Sequence, residues 1–223
     1  MEAKKTIPSW FKNMPAPVFT GPDNWQANLK VCKGFTETYK HGFDIPLWSD
    51  LWLEIGEKGT ENYRWKYSDE CSEIETHPSN EWGNRYAPTE YQHLKLMSPW
   101  FLTCEEEVNF LAMEPPWLFD ELGNISILPG VVNFKFQPTT HINLFFRREQ
   151  ERQEVVLQAG MPVYHYVPLT ERKVRIETHL ISYEEFCNIR RSTSSIKFIN
   201  HYGAREKITK ERGCPYKFNV TKQ

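Results

Sequence analysis

The strongest pattern in the chain is a series of short apolar runs, each bounded by turn-forming residues, within residues 127–169. Glycine and proline stand between the runs, as at Pro129 and Gly160. Short runs that are rich in β-branched and aromatic residues and end at such positions are typical of strands. We therefore predict strands at residues 131–136, 142–146, 155–157 and 163–167.

In residues 51–55 aliphatic side chains alternate with other types, and in residues 63–67 aromatic side chains alternate with basic ones. Because the side chains of a strand point to opposite faces in turn, this alternation predicts a hairpin with one buried face. We expect the aromatic residues Tyr63, Trp65 and Tyr67 to pack on the core. Apolar runs elsewhere predict further strands: residues 28–40, a second hairpin from residues 94–102 and 108–113, and residues 169–181.

The two ends of the chain differ from this strand-rich centre. Four prolines stand among the aromatic residues of the first part of the chain, so a long helix is excluded and an extended arm is predicted, lying across the domain or a neighbouring subunit. Near the other end, Ser182 and Glu185 form an S-x-x-E capping box that predicts the start of a helix. A second helix is predicted to begin among residues 192–195 and to stop at Gly203.

The composition supports one strand-rich domain. Aromatic residues make up 14% of the 223 residues, and the fifteen prolines outnumber the eleven glycines. This mixture favours many short strands and stiff loops over a helical bundle. We predict a mostly antiparallel, barrel-like β domain: a proline-rich arm at residues 1–27, the core at residues 28–180 and a short helical appendage of the same domain at residues 181–223.

The net charge limits the kinds of partner that are expected, and the cysteine content limits the kinds of disulfide or metal site. The net charge of −2 gives no electrostatic reason to expect nucleic acid or an anionic membrane, and no apolar run approaches the roughly 20 residues that a membrane helix needs. The five cysteines include no C-x-x-C pair, which favours reduced thiols over a disulfide framework or a zinc ribbon. We expect an intracellular protein without a signal peptide, a membrane segment, a metal or a cofactor.

Four short motifs resemble those of one family, in its order and spacing. They are H-G-F-D-I at 41–45, S-P-W-F at 98–101, L-P-G-V-V-N at 128–133 and G-M-P-V-Y-H at 160–165. The family is that of the dUTPase-like, or β-clip, proteins. The whole chain also resembles uncharacterised proteins of tailed phages, especially T4-like phages of cyanobacteria, which begin like I-P-S-W-F-K-N-M at 7–14. The resemblance implies a β-clip fold and a location in the host cytoplasm or the virion.

The same resemblance implies ligand contacts at four positions: Asp44, Asn133, Phe136 and His165. In dUTPases the position of Asn133 holds an aspartate that orients the attacking water, and the position of Phe136 holds a tyrosine under the deoxyribose. His165 stands where the family has a glutamine that touches phosphate. Asparagine cannot take a proton from the water, and the loss of a positioned base costs roughly 10²–10⁴ in rate. The resemblance therefore implies a retained fold without the pyrophosphatase reaction.

These observations favour a non-catalytic phage accessory or structural protein. We expect it to act through protein contacts or by holding a small ligand such as a nucleotide. We also expect a homo-oligomer, because its arm and its aromatic residues would otherwise be exposed to solvent. The contact surface is predicted to include four exposed tryptophans: Trp10, Trp25, Trp48 and Trp52.

Two enzyme alternatives stay open. The first is a nucleotide phosphohydrolase or deaminase-like enzyme that has rebuilt its site around Asp44, Asn133 and His165. The second is a cupin-like metal-dependent enzyme, in which imidazoles from neighbouring strands converge on a metal ion. The ligands of that second site would be His141, His165 and His179.

Overall fold

The computed structural model describes residues 9–15, 18–19, 25–26, 28–69, 72–115, 122–194, 203, 206–207 and 210–211. The α-helices are α1 (Ser9–Asn13), α2 (Lys33–His41) and α3 (Tyr183–Ser194), and residues 203, 206–207 and 210–211 are also helical. Short 3-10 helices span Leu29–Val31 and Ser79–Trp82. The strands are β1 (Val18–Phe19), β2 (Trp25–Gln26), β3 (Phe43–Pro46), β4 (Leu51–Ile55), β5 (Tyr63–Tyr67), β6 (Ile74–Glu75), β7 (Tyr91–Leu96), β8 (Asn109–Met113), β9 (Ile125–Ile127), β10 (Gly130–Asn133), β11 (Ile142–Arg147), β12 (Gln153–Leu157) and β13 (Pro162–Pro168).

Eleven of these strands form three open sheets in which all paired neighbours are antiparallel. The first sheet has the strand order β10-β8-β13-β3, the second has the order β6-β7-β11-β9, and the third has the order β12-β4-β5. Strand β1 pairs with β2. The prediction of a mostly antiparallel β fold is confirmed. The strands described here do not close into a barrel, because each of the three sheets ends at two edge strands.

One hydrophobic cluster joins the three sheets. It includes Phe43 and Tyr166 of the first sheet, Leu94 and Leu144 of the second and Leu53 of the third, all at most 3% exposed. Period-two alternation turns these side chains inward. Full burial of one such side chain contributes about 1.5–3 kcal/mol, so this cluster is the main source of stability.

The strands predicted within residues 127–169 are confirmed as β10, β11, β12 and β13. Strand β10 ends at Asn133, because residues 134–136 form a turn instead of continuing the strand. The hairpin predicted from residues 51–55 and 63–67 is confirmed as β4 and β5. In each case the sequence pattern that predicts the strands involves residues that are close together along the chain.

The strand predicted at residues 28–40 is wrong, because residues 33–41 form helix α2. Helical spacing stabilises this segment: Glu37 and His41 are four residues apart and form a contact of 2.8 Å between carboxylate and imidazole. Phe35 of α2 packs on Phe11 of α1, with ring centroids 6.0 Å apart. The partner of Phe35 lies far away in sequence, which is why the local pattern misses the helix.

The hairpin predicted from residues 94–102 and 108–113 is also wrong. Strand β7 pairs with β6 and β11, whereas β8 pairs with β10 and β13 in another sheet. The apolar positions of β7 select this distant partner, since Leu94 and Leu96 face Leu144 and Ile142 across the register. The strand predicted at residues 169–181 is wrong as well, because these residues belong to no strand.

The predicted arm and the predicted appendage are only partly covered by the described residues. Within residues 1–27 the described parts form α1 and the β1–β2 pair. At the start of α3, Oγ of Ser182 accepts the main-chain N–H of Glu185 at 3.1 Å, which confirms the predicted helix start. The second predicted helix overlaps α3 at residues 192–194, and Gly203, where it is predicted to stop, is itself helical. Residues 195–202 lie outside the described residues. Within the described part of the chain, no helix has the length and apolar character needed to cross a bilayer.

Candidate functional site

Asp44 on β3 and His165 on β13 are the two predicted site residues that the fold brings together. Their strands are neighbours in the first sheet, and the two residues face each other directly in the register. Because side chains alternate along a strand, both point away from the face that holds Phe43 and Tyr166. On their own face they meet α2, where Thr38 contacts His165.

The imidazole of His165 lies between two oxygen acceptors. Its Nδ1 is 2.7 Å from Oδ1 of Asp44, and its Nε2 is 3.1 Å from the main-chain oxygen of Thr38. Both oxygens can accept a hydrogen bond from a ring nitrogen, so the two contacts fix the orientation of the ring. Asp44 is 3% exposed and His165 is 1% exposed. The geometry therefore places a buried imidazole between the carboxyl group of Asp44 and the main chain of α2.

This pair attaches helix α2 to the first sheet. Thr38 lies in the last turn of α2, where the carbonyl groups carry the partial negative charge of the helix dipole. A donor from His165 stabilises that end. A catalytic Asp–His pair uses the same contact between carboxylate and Nδ1 but turns the other nitrogen to the substrate. Here Nε2 faces Thr38, so a substrate would reach it only after α2 had moved.

Gly42, at the end of α2, permits this close approach. A Cβ atom at position 42 would lie 2.2 Å from Nε2 and 2.4 Å from Cε1 of His165, and 3.0 Å from the main-chain oxygen of Tyr166. The φ angle of Gly42 is −90°, which any residue adopts. Space, and not backbone conformation, therefore requires glycine in the H-G-F-D-I motif.

Asn133 lies at a different place in the first sheet. It faces Asn109 on β8, whereas His165 faces Met113 on the same strand. Those two β8 positions are four residues apart, which corresponds to about 13 Å at the rise of a strand. Nδ2 of Asn133 donates to Oδ1 of Asn109 at 3.1 Å, and its Oδ1 accepts the N–H of Lys135 at 3.1 Å. The amide therefore closes the turn that follows β10.

Phe136 is the last residue of that turn, and it belongs to the buried interior. Its side chain is 2% exposed, and Nζ of Lys210 lies 5.7 Å from the centroid of its ring. Of the four predicted ligand residues, the structure thus brings together Asp44 and His165. Asn133 and Phe136 lie apart from that pair.

The three histidines of the metal alternative are spread over the fold. His165 belongs to the first sheet, His141 directly precedes β11 of the second sheet, and His179 lies in the exposed segment after β13. The Nε2 atom of His179 lies 3.9 Å from a carboxylate oxygen of Glu177. Within the described ranges, no group of three or more histidine, cysteine, aspartate or glutamate residues is placed to hold a metal ion.

Arg148, directly after β11, forms a second buried polar site that the sequence pattern does not reveal. It is 2% exposed, and its guanidinium donates four hydrogen bonds of 2.8–3.0 Å. The acceptors are the main-chain oxygens of Gly56, Asn62 and Pro88 and Oε1 of Gln92. These acceptors lie in the β4–β5 turn, in the loop before β7 and on β7, so one side chain joins the second sheet to the third.

Arg148 is buried without a carboxylate among the acceptors of these hydrogen bonds. Burial lowers its pKa, and the charges of Glu61 and Glu57 oppose that shift. Arginine nevertheless stays charged at any physiological pH. Hydrogen bonds from a charged donor are stronger than neutral ones, so the guanidinium stabilises the three segments it contacts.

An aromatic cluster covers the outer face of the second sheet. His93 and Phe145 face each other across β7 and β11, and their rings stack at 4.7 Å. His77 stacks on the other side of His93 at 5.0 Å, and Trp82 contacts His93 and Phe145 edge-on at 5.5 and 5.2 Å. The segment at residues 72–90 therefore packs on the sheet through His77 and Trp82.

His93 should make stability depend on pH. Burial lowers the pKa of His93 from 6.5, although the hydrogen bond to Asn143 opposes the shift. Its Nδ1 has no hydrogen-bond partner among the described residues. The unfolded chain takes up a proton below about pH 6.5 that the folded chain resists, so the free energy of unfolding falls as the pH drops through that value.

The variant His93→Phe keeps the ring stack and removes the titrating group. Its free energy of unfolding should therefore fall less than that of the wild type between about pH 7.5 and pH 5.5. Urea unfolding at the two pH values measures the difference. Parallel pH profiles for the two proteins would contradict a neutral, buried imidazole at this position.

The four tryptophans predicted as a contact surface do not share one environment. Trp10 is exposed, whereas Trp48 and Trp52 are half-buried. The indole N–H of Trp48 donates to Oγ of Ser72 at 2.7 Å, and that of Trp52 donates to Oε1 of Glu154 at 3.2 Å. The side chain of Trp25 is not among the side chains that the structure describes. Trp48 and Trp52 thus already make polar contacts within the chain.

A cleft of about 370 Å³ opens beside β9, β11 and β12. It is lined by residues 122–125, by Phe146 and by residues 153–155, and none of the four predicted ligand residues belongs to this lining. The Oε1 atom of Gln153, one of the lining residues, is buried and has no hydrogen-bond partner in the described structure. A small ligand held in this cleft would contact none of the residues that the family resemblance selects.

Comparison of this chain with protein-family models, curated proteins and solved structures finds no match. The resemblance to dUTPase-like and tailed-phage proteins therefore stays a prediction from short motifs.

Proposed function

We propose that this protein is a non-catalytic accessory or structural protein of a tailed phage and that it acts through contacts with other protein chains. The observation that carries the proposal is the exposed apolar surface of residues 169–183. Five of the twelve large hydrophobic side chains that are exposed among the described residues lie in this segment: Leu169, Ile176, Leu180, Ile181 and Tyr183. Several exposed apolar side chains within one short segment suit a contact with another protein chain.

The buried polar groups support the same proposal. His165 bonds Asp44 and α2, Asn133 closes a turn, and Arg148 bonds oxygens of three neighbouring segments. Polar side chains that satisfy one another inside the protein stabilise its fold. The phage assignment is supported by the resemblance of residues 7–14 and 42–167, which implies the host cytoplasm or the virion as the location.

A photo-crosslinking amino acid in place of Leu180 tests this proposal. Leu180 is 94% exposed, so the replacement leaves the core intact. In infected host cells the label should form a covalent adduct with a second protein chain, identified by mass spectrometry. The control carries the same label in place of Val156, which is 61% exposed on the third sheet, and should give much less adduct. Equal adduct at both positions, or none at Leu180, would contradict the proposal.

One observation favours the first enzyme alternative. The contact of 2.7 Å between Asp44 and His165 is the contact by which a carboxylate orients an imidazole base. If α2 moved away from the sheet, the imidazole of His165 would become accessible to a nucleotide. Turnover of a deoxynucleotide by the purified protein, abolished in the variant Asp44→Asn, would replace the non-catalytic proposal with this alternative.

A further inference from the structure

Residues 173–180 belong to no helix or strand, and polar and apolar side chains alternate along them. Nη2 of Arg175 lies 3.0 Å from Oε1 of Glu177, and Nε2 of His179 lies 3.9 Å from Oε2 of the same carboxylate. Contacts between side chains two residues apart fit an extended chain, because positions i and i+2 share a face there. The opposite face carries four other side chains: Val174, Ile176, Thr178 and Leu180.

The segment is attached to the domain on both sides. Before it, the N–H of Leu169 donates to the main-chain oxygen of Asn109 at 2.8 Å. After it, Phe186 of α3 contacts Phe101 with ring centroids 5.4 Å apart. An extended stretch held at both ends loses little further conformational freedom when it pairs with another strand, so its pairing costs less entropy than that of a free tail.

The apolar face becomes more exposed along the segment. Val174 packs against the core, Ile176 is 40% exposed and Leu180 is 94% exposed. No strand among the described residues pairs with this segment. A strand-like stretch with apolar side chains in solvent is suited to strand addition, in which main-chain hydrogen bonds form with another chain.

We propose that this segment pairs with the same segment of a second copy of the chain, as an antiparallel ribbon centred on Ile176. In this register Ile176 faces Ile176 of the partner subunit. Arg175 faces the partner's Glu177, and the two-fold axis repeats that pair on the other side. Val174 faces the partner's Thr178. The inference deepens the proposed function and rests on it, since it names the partner of the same exposed surface.

Charge favours a second copy in this register over an antiparallel ribbon centred on Glu177 and over a parallel ribbon. Opposite charges that face each other across an antiparallel pair stabilise it, and like charges destabilise it. Centring the ribbon on Ile176 creates two pairs of Arg175 with Glu177. Centring it on Glu177 would place two carboxylates against each other, and a parallel ribbon in register would oppose like charges at both positions. The order Arg175, Ile176, Glu177 is therefore complementary to itself, as a two-fold interface requires.

Exchange of the two charges tests the ribbon. In R175E or E177R alone, both attractive pairs become repulsive, and the dissociation constant of the dimer should rise about tenfold or more. The double variant R175E/E177R restores opposite charges and should restore the dimer. Sedimentation equilibrium of the full chain from about 1 µM to 1 mM measures the constant, a range that suits a small interface.

A mixture of the two single variants separates pairing between chains from effects within one chain. Each single variant also loses its own contact between positions 175 and 177, so a change in either alone has two explanations. In an equimolar mixture of R175E and E177R, negative segments face positive ones. A heterodimer should therefore form where neither variant dimerises alone.

A wild type that stays monomeric over this range would overturn the ribbon, and so would a dimer that ignores both charge reversals or a mixture without heterodimer. The Leu180 label distinguishes this failure from failure of the proposed function. A monomeric protein whose label still captures a different chain would lose only the ribbon. Loss of both the dimer and the adducts would remove both proposals.

Discussion

Replacing Arg148 with methionine should lower the free energy of unfolding by about 3–5 kcal/mol, near the upper end for a single substitution. Methionine fills part of the volume but donates no hydrogen bond. The four oxygens that now accept from the guanidinium would lose that donor, and of these the oxygen of Asn62 still accepts the N–H of Gly56 at 2.9 Å. A buried acceptor without a partner costs about 1–3 kcal/mol. Urea unfolding followed by tryptophan fluorescence measures the loss.

The neighbouring residue supplies the matched control. Arg147 is exposed, so Arg147→Met should change the free energy of unfolding by less than about 0.5 kcal/mol. Arg148→Lys keeps the charge but not the planar fork, and a single ammonium group cannot reach acceptors in three segments at once. The free energy of unfolding of Arg148→Lys should lie between that of Arg148→Met and that of the wild type. Equal losses at positions 147 and 148 would show that Arg148 does not join the second and third sheets.

Gly42→Ala should destabilise the fold by about 3 kcal/mol, because it overpacks a site that has no room for a methyl group. The new Cβ would lie 2.2 Å from Nε2 of His165, so either the buried ring or α2 must shift. A shift of α2 breaks the contact between His165 and Thr38. Amide hydrogen exchange should then rise in residues 33–41 more than in β4. Thermal or urea unfolding gives the accompanying loss of stability.

Gly34→Ala in the same helix should act in the opposite direction. No atom lies within 4 Å of a Cβ placed at position 34, and alanine in a helix is more stable than glycine by about 0.5–1 kcal/mol. Comparison of Gly42→Ala with Gly34→Ala therefore separates the effect of steric space from the effect of helix propensity. Stabilisation by both substitutions would show that α2 does not lie against His165.

Both predictions concern contacts between residues that are distant along the chain. Asp44 and His165 are 121 positions apart, and the acceptors of Arg148 lie 56 to 92 positions before it. In each case strand pairing brings the partners together. Neither contact leaves a trace in the neighbouring sequence, where Arg148 resembles Arg147 and Arg152.

The correct predictions depend on side chains that are close along the chain. Turn residues separate the strands of residues 127–169, alternation marks the hairpin of β4 and β5, and Ser182 begins α3 three residues before Glu185. The incorrect ones depend on distant partners. Helix α2 is held by Phe11 and His165, and the alternating residues 174–180 have no strand beside them in the described part of the chain.

The sequence by itself determined the mostly antiparallel β class, the inward faces of several strands and the start of α3. These follow from side-chain polarity and from the two-residue period of a strand, which act locally. Only the tertiary structure decided that Asp44 meets His165, that Asn133 closes a turn instead, and that Arg148 is buried. The surroundings of a polar side chain are set by which strands lie next to each other, and that choice depends on how the whole core packs.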